Sequence, residues 1–474
     1  MSIELERDRV PEFVLVRVDS DLDPFRAEVD YIFSVLGRWL GYAFHRVENG
    51  VSAAVDIDYG ACPRGAPIWI QEHFFSRACS IGKDGLTLGH GWQVLERVVP
   101  RSQHILGVDI APIFSQDPLA SSVRHPGETG LGWQIHFDLI GSLFFQLSRI
   151  EELEEKKRDH YGRFCPEQTL AFRGGFLNRP EADRQVSVLS QILKTLGRAA
   201  RRPRDMRVHL THDVDRLRAY HGLAALTKET LGDIVRQRDT LRGALARALC
   251  QLKAGEPFLS ARWLMDRAEE RGVQCRFFFM AGTRHPIDAD YAYRWRDQMR
   301  KIAREIRSRG HHLGFHPGFQ TWKNEAAWIG QKRALEDVLE DRVVEGRQHV
   351  LRFHPSTWDI WESAGMERDY GLSFPHGITY RAGTTRSYPA YSLRNRRPLR
   401  LEVIPTAIME FALFMNKYVE IPRLEARQKV ATAVAEHKRY GGDLAVLFHP
   451  VTVMGLQNEY RETLEQIFTP SSAN

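Results

Sequence analysis

The alternation of apolar and polar positions changes character near residue 200. Before it, apolar residues keep helical spacing over 31–44, and again at Phe137, Ile140, Phe144 and Leu147, where the pattern runs out into the charged stretch EELEEKKRD. Strand-like pieces lie at 53–57 and 67–71. After Met206, short apolar runs at 207–210, 275–280, 312–315, 349–353, 399–404 and 444–448 alternate with helical patterns at 259–271, 293–308, 325–339 and 424–439. Strand–helix alternation over some 260 residues predicts an α/β fold with a parallel sheet, open or closed into a barrel. The expected organisation is an N-terminal α+β domain over 1–200 and the parallel-sheet domain over 201–474.

Composition narrows the class. A chain of 474 residues with 43% hydrophobic content can bury a large core, which argues against disorder. The richest apolar stretch, DLIGSLFFQL over 138–147, is too short to span a bilayer, so any membrane contact would be peripheral. The start MSIELERDRVPEF is charged where a secretory signal needs an apolar stretch, so a cytoplasmic location is expected. Five scattered cysteines without a CxxC pair fit reduced thiols better than a disulfide framework or a zinc finger. The net charge of +6 is spread widely, with basic runs at 198–207 and 394–400. Neither run interleaves with aromatics, so no nucleic-acid partner is expected.

In a parallel barrel the chemistry sits at the C-terminal ends of the strands, and four such ends carry reactive residues. VHLTHDVD leads a strand into Asp213 and Asp215, about 6–7 Å apart on one side of an extended chain. Two carboxylates there require a cation or a proton to offset their repulsion. GHHLGFHPGFQ offers His312 and His316, but its glycines and proline argue against a helix, and on a strand the pair lies roughly 13 Å apart. His316, at the strand exit, is therefore the better candidate ligand. HVLRFHPSTW places Arg352 near a strand end, where a guanidinium would hold an acid ionised and fixed in direction. His349 and His354 in the same stretch read as isolated, hydrogen-bonded histidines. DLAVLFHP ends in His449, well placed to donate a proton to a leaving group.

Taken in order, these motifs resemble the NodB-like polysaccharide deacetylases, carbohydrate esterase family 4, from about Met206 to the C-terminus. Thr211-His212-Asp213-Val214-Asp215 is similar to the first motif, GHHLGFH to the strand leading into the histidine motif, Arg352 with Pro355 to the arginine motif, and Leu447-Phe448-His449 to the final motif. The whole chain also resembles a subgroup with an additional N-terminal domain, through FDLIGSLFFQLSRIEE, HYGRF, RQHVLRF, TYRAGT and IPTAIME. The resemblance implies a distorted parallel (β/α) barrel, Asp213 as general base held by Arg352, His449 as acid, and Asp215 and His316 as metal ligands. The family's second metal histidine falls at Gln320, an amide and a poorer ligand than imidazole; Gln320, His312 or Asp213 is left as the third ligand.

The implied activity is metal-dependent removal of an acetyl group from an N-acetylated sugar or glycan intermediate, with a divalent ion, zinc foremost. A cytoplasmic substrate would be a sugar-nucleotide or lipid-linked intermediate, and the run 394–400 would then bind its diphosphate. Two other readings stand beside this one. The first is a catalytically degenerate carbohydrate-binding or scaffold protein on the same barrel, which Gln320 favours. The second is another metal-dependent amidohydrolase. Arg381 in TYRAGT is left either touching substrate or supporting a loop.

Overall fold

The computed structural model describes residues 12–48, 54–117, 121–154, 156–198, 204–217, 259–282, 285–288, 292, 295–415, 421–453 and 455–469. Two sheets organise them. The N-terminal sheet contains β1 (Glu12–Val18), β2 (Tyr42–Val47), β3 (Ile57–Gly60), β4 (Ile68–Gln71), β9 (Val123–Arg124) and β10 (Trp133–Ile135), in the order β2-β1-β3-β4-β10-β9. Its pairings are parallel except β9 with β10. Two hairpins, β5 (Cys79–Gly82) with β6 (Gly85–Leu88) and β7 (Gln103–Ile105) with β8 (Val108–Ile110), stand outside it. The helical reading of 31–44 splits: the helix is Arg26–Leu40, stopped by Gly41 at φ 78°, and Tyr42 already opens β2.

The second sheet has nine strands: β11 (Arg207–Val214), β12 (Cys275–Phe279), β13 (His312–Phe315), β14 (Glu345–Gly346), β15 (Arg368–Asp369), β16 (Tyr388–Ser392), β17 (Arg397–Val403), β18 (Thr406–Met409) and β19 (Asp443–Leu447). Their order is β16-β17-β15-β14-β13-β12-β11-β19-β18, parallel throughout except for β16 with β17. In a flat sheet β14 and β18, five strands apart in that order, would be separated by about 24 Å. Yet one guanidinium, Arg347 just after β14, bonds Thr211 of β11 at 2.7 Å and Thr406 of β18 at 2.9 Å. The sheet is therefore curled. Thr406 also donates its hydroxyl to the Tyr370 carbonyl and its amide to the Leu372 carbonyl, bridging the curl across to the segment after β15 without a strand ladder. Phe278, Tyr370, Ile404 and Ala445 fill the interior.

The helices outside obey their apolar stripes. Helix Arg296–Ser308 buries Met299, Ile302, Ala303 and Ile306 and leaves its charges outward. Helix Glu325–Leu339 starts where the Asn324 side chain accepts the Ala327 amide, and buries Trp328, Leu335, Val338 and Leu339. Helix Leu139–Ser148 is buried along its whole length: Phe144 meets Tyr31 of helix Arg26–Leu40 and Tyr391 of β16, which also touch each other. One apolar cluster runs through both halves. Polar links reinforce it, including buried Arg381 with Glu152, buried Asp183 with Thr384 and Thr385, and half-buried Arg396 with buried Glu28.

The run 349–353, expected as a strand, is a short 3-10 turn, His349–Leu351, in which Val350 has φ 50° and Leu351 φ 58°. The ladder lies four residues earlier, at Glu345–Gly346. Val and Leu in an apolar run read as β, but backbone at positive φ cannot continue a strand. No described helix is long and apolar enough to cross a membrane.

Candidate metal centre

Every reactive group sits where a parallel strand ends. β11 delivers Asp213 and, one residue past its end, Asp215; β13 is followed by His316, β14 by Arg347 and His349, β18 by Glu410, and β19 by His449. Backbone bonds fix these exits: His316 N–H donates to Phe279 O, Arg347 N–H to Phe315 O and His349 N–H to Pro317 O.

The Asp213 carboxylate accepts Arg347 Nη1 at 2.6 Å. Arg347 is wholly buried, and its other donors go to Thr211, Thr406 and the Tyr370 carbonyl, so its position is overdetermined. Asp213 Oδ2 faces His316 Nε2 at 3.8 Å and His449 Nε2 at 4.0 Å.

Asp215 meets three imidazoles: His316 Nε2 at 3.3 Å, His349 Nε2 at 3.9 Å and His449 Nε2 at 3.6 Å. Burial works to raise its pKa, but His449, His316 and His349 outweigh it and hold the carboxyl well below the usual range. One ligand atom each from Asp215, His316 and His349 lies within 4.8 Å of the others. Asp215 Oδ1 and His316 Nε2 are both buried without a hydrogen-bond partner among the described residues. Buried polar atoms that face one another yet accept nothing mark a place for an ion.

The backs of the rings are held. His316 donates Nδ1–H to Arg347 O at 2.5 Å, and His349 donates Nδ1–H to Asp288 Oδ1 at 2.6 Å. Both Asp288 oxygens in turn accept the Phe319 amide at 2.9 Å. Each imidazole thus presents Nε2 to the cluster, the tautomer a metal requires. Two imidazole nitrogens and a carboxylate oxygen fit a divalent ion such as zinc. His316 itself is drawn upward in pKa: burial opposes protonation, but Asp213 and Asp215 prevail.

His449 donates Nδ1–H to Glu410 Oε1 at 2.5 Å, and its own amide and Thr452 Oγ1 donate to the same oxygen at 2.9 Å. Burial would lower the His449 pKa, but Glu410, then Asp215, raise it to about 9. Glu410 therefore keeps the ring charged and aimed at the two aspartates.

Of the residues expected from the sequence, Asp213, Asp215, His316 and His449 converge here. Two do not. Gln320 is exposed on a turn and outside the cluster, and His349 from the neighbouring strand stands in its place. Arg352, expected on Asp213, instead donates Nη1–H to Phe319 O at 2.6 Å and stacks on Phe319 and Trp322; the guanidinium on Asp213 is Arg347. His312, another candidate third ligand, bonds Gln274 instead. Arg381 is buried between Glu152 and the Ser373 carbonyl, a support between the halves. Within the run 394–400, Arg396 pairs with Glu28 and Arg397 with Glu362 at the β16–β17 hairpin. Glu410 had a readable signal, an acid closing the apolar strand TAIM; Asp288 had none.

Residues 22–198 match a family of unknown function designated DUF7033. No curated protein matches the chain. Among solved structures, a polysaccharide deacetylase candidate from Mycobacterium smegmatis is 16% identical, over 57% of this chain and 86% of that one, with a TM-score of 0.38. The chitin deacetylase of the fungal pathogen Colletotrichum lindemuthianum is 13% identical, over 56% and 82%, with a TM-score of 0.30. A CE4 family pseudoenzyme from Bacillus anthracis is 14% identical, over 56% and 63%, with a TM-score of 0.27.

Proposed function

We propose that the chain is a metal-dependent hydrolase that removes an acetyl group from an acetylated saccharide, on a barrel-like domain over 201–474 that follows an N-terminal domain over 1–200. The observation that carries the reading is the convergence of Asp215, His316 and His349, with two of their ligand atoms buried and unpartnered, beside an acid and a base held ready. Asp215 Oδ, His316 Nε2 and His349 Nε2 would hold the ion. A divalent cation there supplies a Lewis acid for the acetyl carbonyl and for the charge that develops on its oxygen.

The protein's own groups divide the proton work. Asp213, directed by Arg347, takes a proton from the attacking water at its Oδ2 side, which faces the cluster. His449, kept charged by Glu410, gives its Nε2 proton to the departing amine. Each is paired with a group of opposite charge, a guanidinium on Asp213 and a carboxylate on His449.

The test is metal analysis of purified protein together with acetate release from acetylated hexosamine. About one divalent ion per chain is expected, with turnover that Asp213→Asn abolishes while the ion stays bound. A metal-free protein would support the degenerate carbohydrate-binding reading. Turnover of small cyclic amides in preference to acetylated sugar would support the other amidohydrolase. Near-full activity in Asp213→Asn would overturn the assigned roles.

A further inference from the structure

One wall of the cluster is built by both halves of the molecule. The loop Arg158–Phe164 closes on itself: Asp159 accepts the amides of Tyr161 and Arg163 and the Arg163 Nε–H, and its own amide bonds the Arg163 carbonyl. This rigid loop is pressed against the strand exits of the second sheet. Arg163 donates to the Val350 carbonyl, beside His349; a Cβ on Gly162 would lie 3.0 Å from Arg352 Nη2; and Tyr161 meets Phe319 edge-on.

Around Trp322 on this wall three cations gather. The Arg352 guanidinium lies 4.4 Å from the indole centroid, Lys323 Nζ 4.6 Å and the Arg158 guanidinium 5.9 Å. An indole face attracts one cation readily, but like charges crowded at one ring repel. Neither arginine makes an ion pair with a described carboxylate. Among the described residues, the Arg158 side chain donates to the Gly162 and Glu152 carbonyls, the Arg352 side chain donates to Phe319 O, and Arg352 Nε is buried with no partner. The nearest acids are engaged elsewhere, Asp159 by Arg163 and Asp288 by His349. Arg352 is joined to the cluster by consecutive contacts: its Nη1 to Phe319 O, Phe319 N to Asp288, Asp288 to His349.

We propose that Arg158, Lys323 and Arg352 form a phosphoryl-binding subsite beside the Asp215/His316/His349 cluster, so that the saccharide acted on carries a phosphate or diphosphate. Two forked guanidinium donors and an ammonium suit a dianionic oxygen cluster, and Trp322 and Phe319 offer flat faces for the sugar ring next to it. Burial lowers the Arg352 pKa to about 10; Asp159 and Asp288 act to raise it and the Arg158 charge to lower it. The identity of the substrate rests on the hydrolase reading above; the anion site does not.

The test uses the full chain and calorimetric titration at low ionic strength with three unacetylated probes: glucose, glucose 1-phosphate and glucuronate. Glucose 1-phosphate is expected to bind at least 10-fold more tightly than either of the others. Lys323→Ala and Arg158→Gln should each weaken it about 10-fold, and Asp215→Ala should leave it unchanged. Lys323 is exposed, so Lys323→Ala reads the site even where an arginine variant fails to fold. Equal binding of glucose and glucose 1-phosphate, tighter binding of glucuronate, or loss of binding in Asp215→Ala would each overturn the proposal. Acetate release is not measured, so failure here and failure of the hydrolase reading are separable.

Discussion

At the scale of the residue, Arg347 has the most to lose. It neutralises Asp213 in a site where neither side chain is exposed beyond 4%. Arg347→Met should cost about 3–5 kcal/mol in urea denaturation, because an unpaired buried carboxylate remains, and should abolish acetate release. Arg352→Gln should leave Asp213 in place. His349→Ala should empty the ion site on metal analysis while Gln320→Ala keeps it filled, and Asp288→Asn should weaken metal affinity about 10–100-fold by freeing the His349 ring. Asp213, Asp215, His316 and His449 were legible because each lies at or just past the end of an apolar strand. His349 and Arg347 were in plain view in GRQHV, but their strand is two residues long and carries no period to read.

At the scale of the element, β14 shows why. Gly346 pairs with Phe315 so closely that a Cβ would lie 2.0 Å from the Phe315 carbonyl oxygen. Gly314 on β13 is equally confined, 2.5 Å from the Glu345 carbonyl and the Phe278 ring. Gly346→Ala should therefore cost about 3 kcal/mol or more, visible as a lower urea midpoint. It should also reduce bound metal, since the exit that carries Arg347 and His349 would shift. Helix Glu325–Leu339 was readable end to end, because its asparagine cap and apolar stripe are local signals. The turn His349–Leu351 was not: Val350 has a positive φ, and the carbonyl it presents there is bonded by Arg163, almost two hundred residues earlier.

At the scale of the whole molecule, the two sheets share one core, so their stabilities are linked. Arg381 and Arg149 together hold the Glu152 carboxyl below its usual pKa despite burial that would raise it. Arg381→Ala should cost about 3 kcal/mol and lower the midpoint of a single shared unfolding transition; separate transitions for the two halves would contradict the common core. Acid sensitivity arises from buried histidines. Burial lowers the His437 pKa to about 4 and the His212 pKa to about 3. As pH falls below about 6.5 the unfolded chain takes up protons that these folded sites refuse, so stability is full above that pH and falls toward pH 4. His437→Gln should flatten this fall by up to about 3 kcal/mol, one buried site over its titration range.

The amino-acid sequence by itself determined the strand–helix alternation, the parallel sheet and the acids and imidazoles at its long strand ends, because those rest on local periodicity and on the residues immediately beyond each strand. Which histidine completes the ion cluster, which arginine holds Asp213, and the approach of Arg158 to Lys323 and Arg352 were decided only by the tertiary structure. Curling brings β14, β11 and β18 to one interior, and a loop of the first 200 residues packs on the strand exits of the rest. Neither distance is encoded in the spacing of residues along the chain.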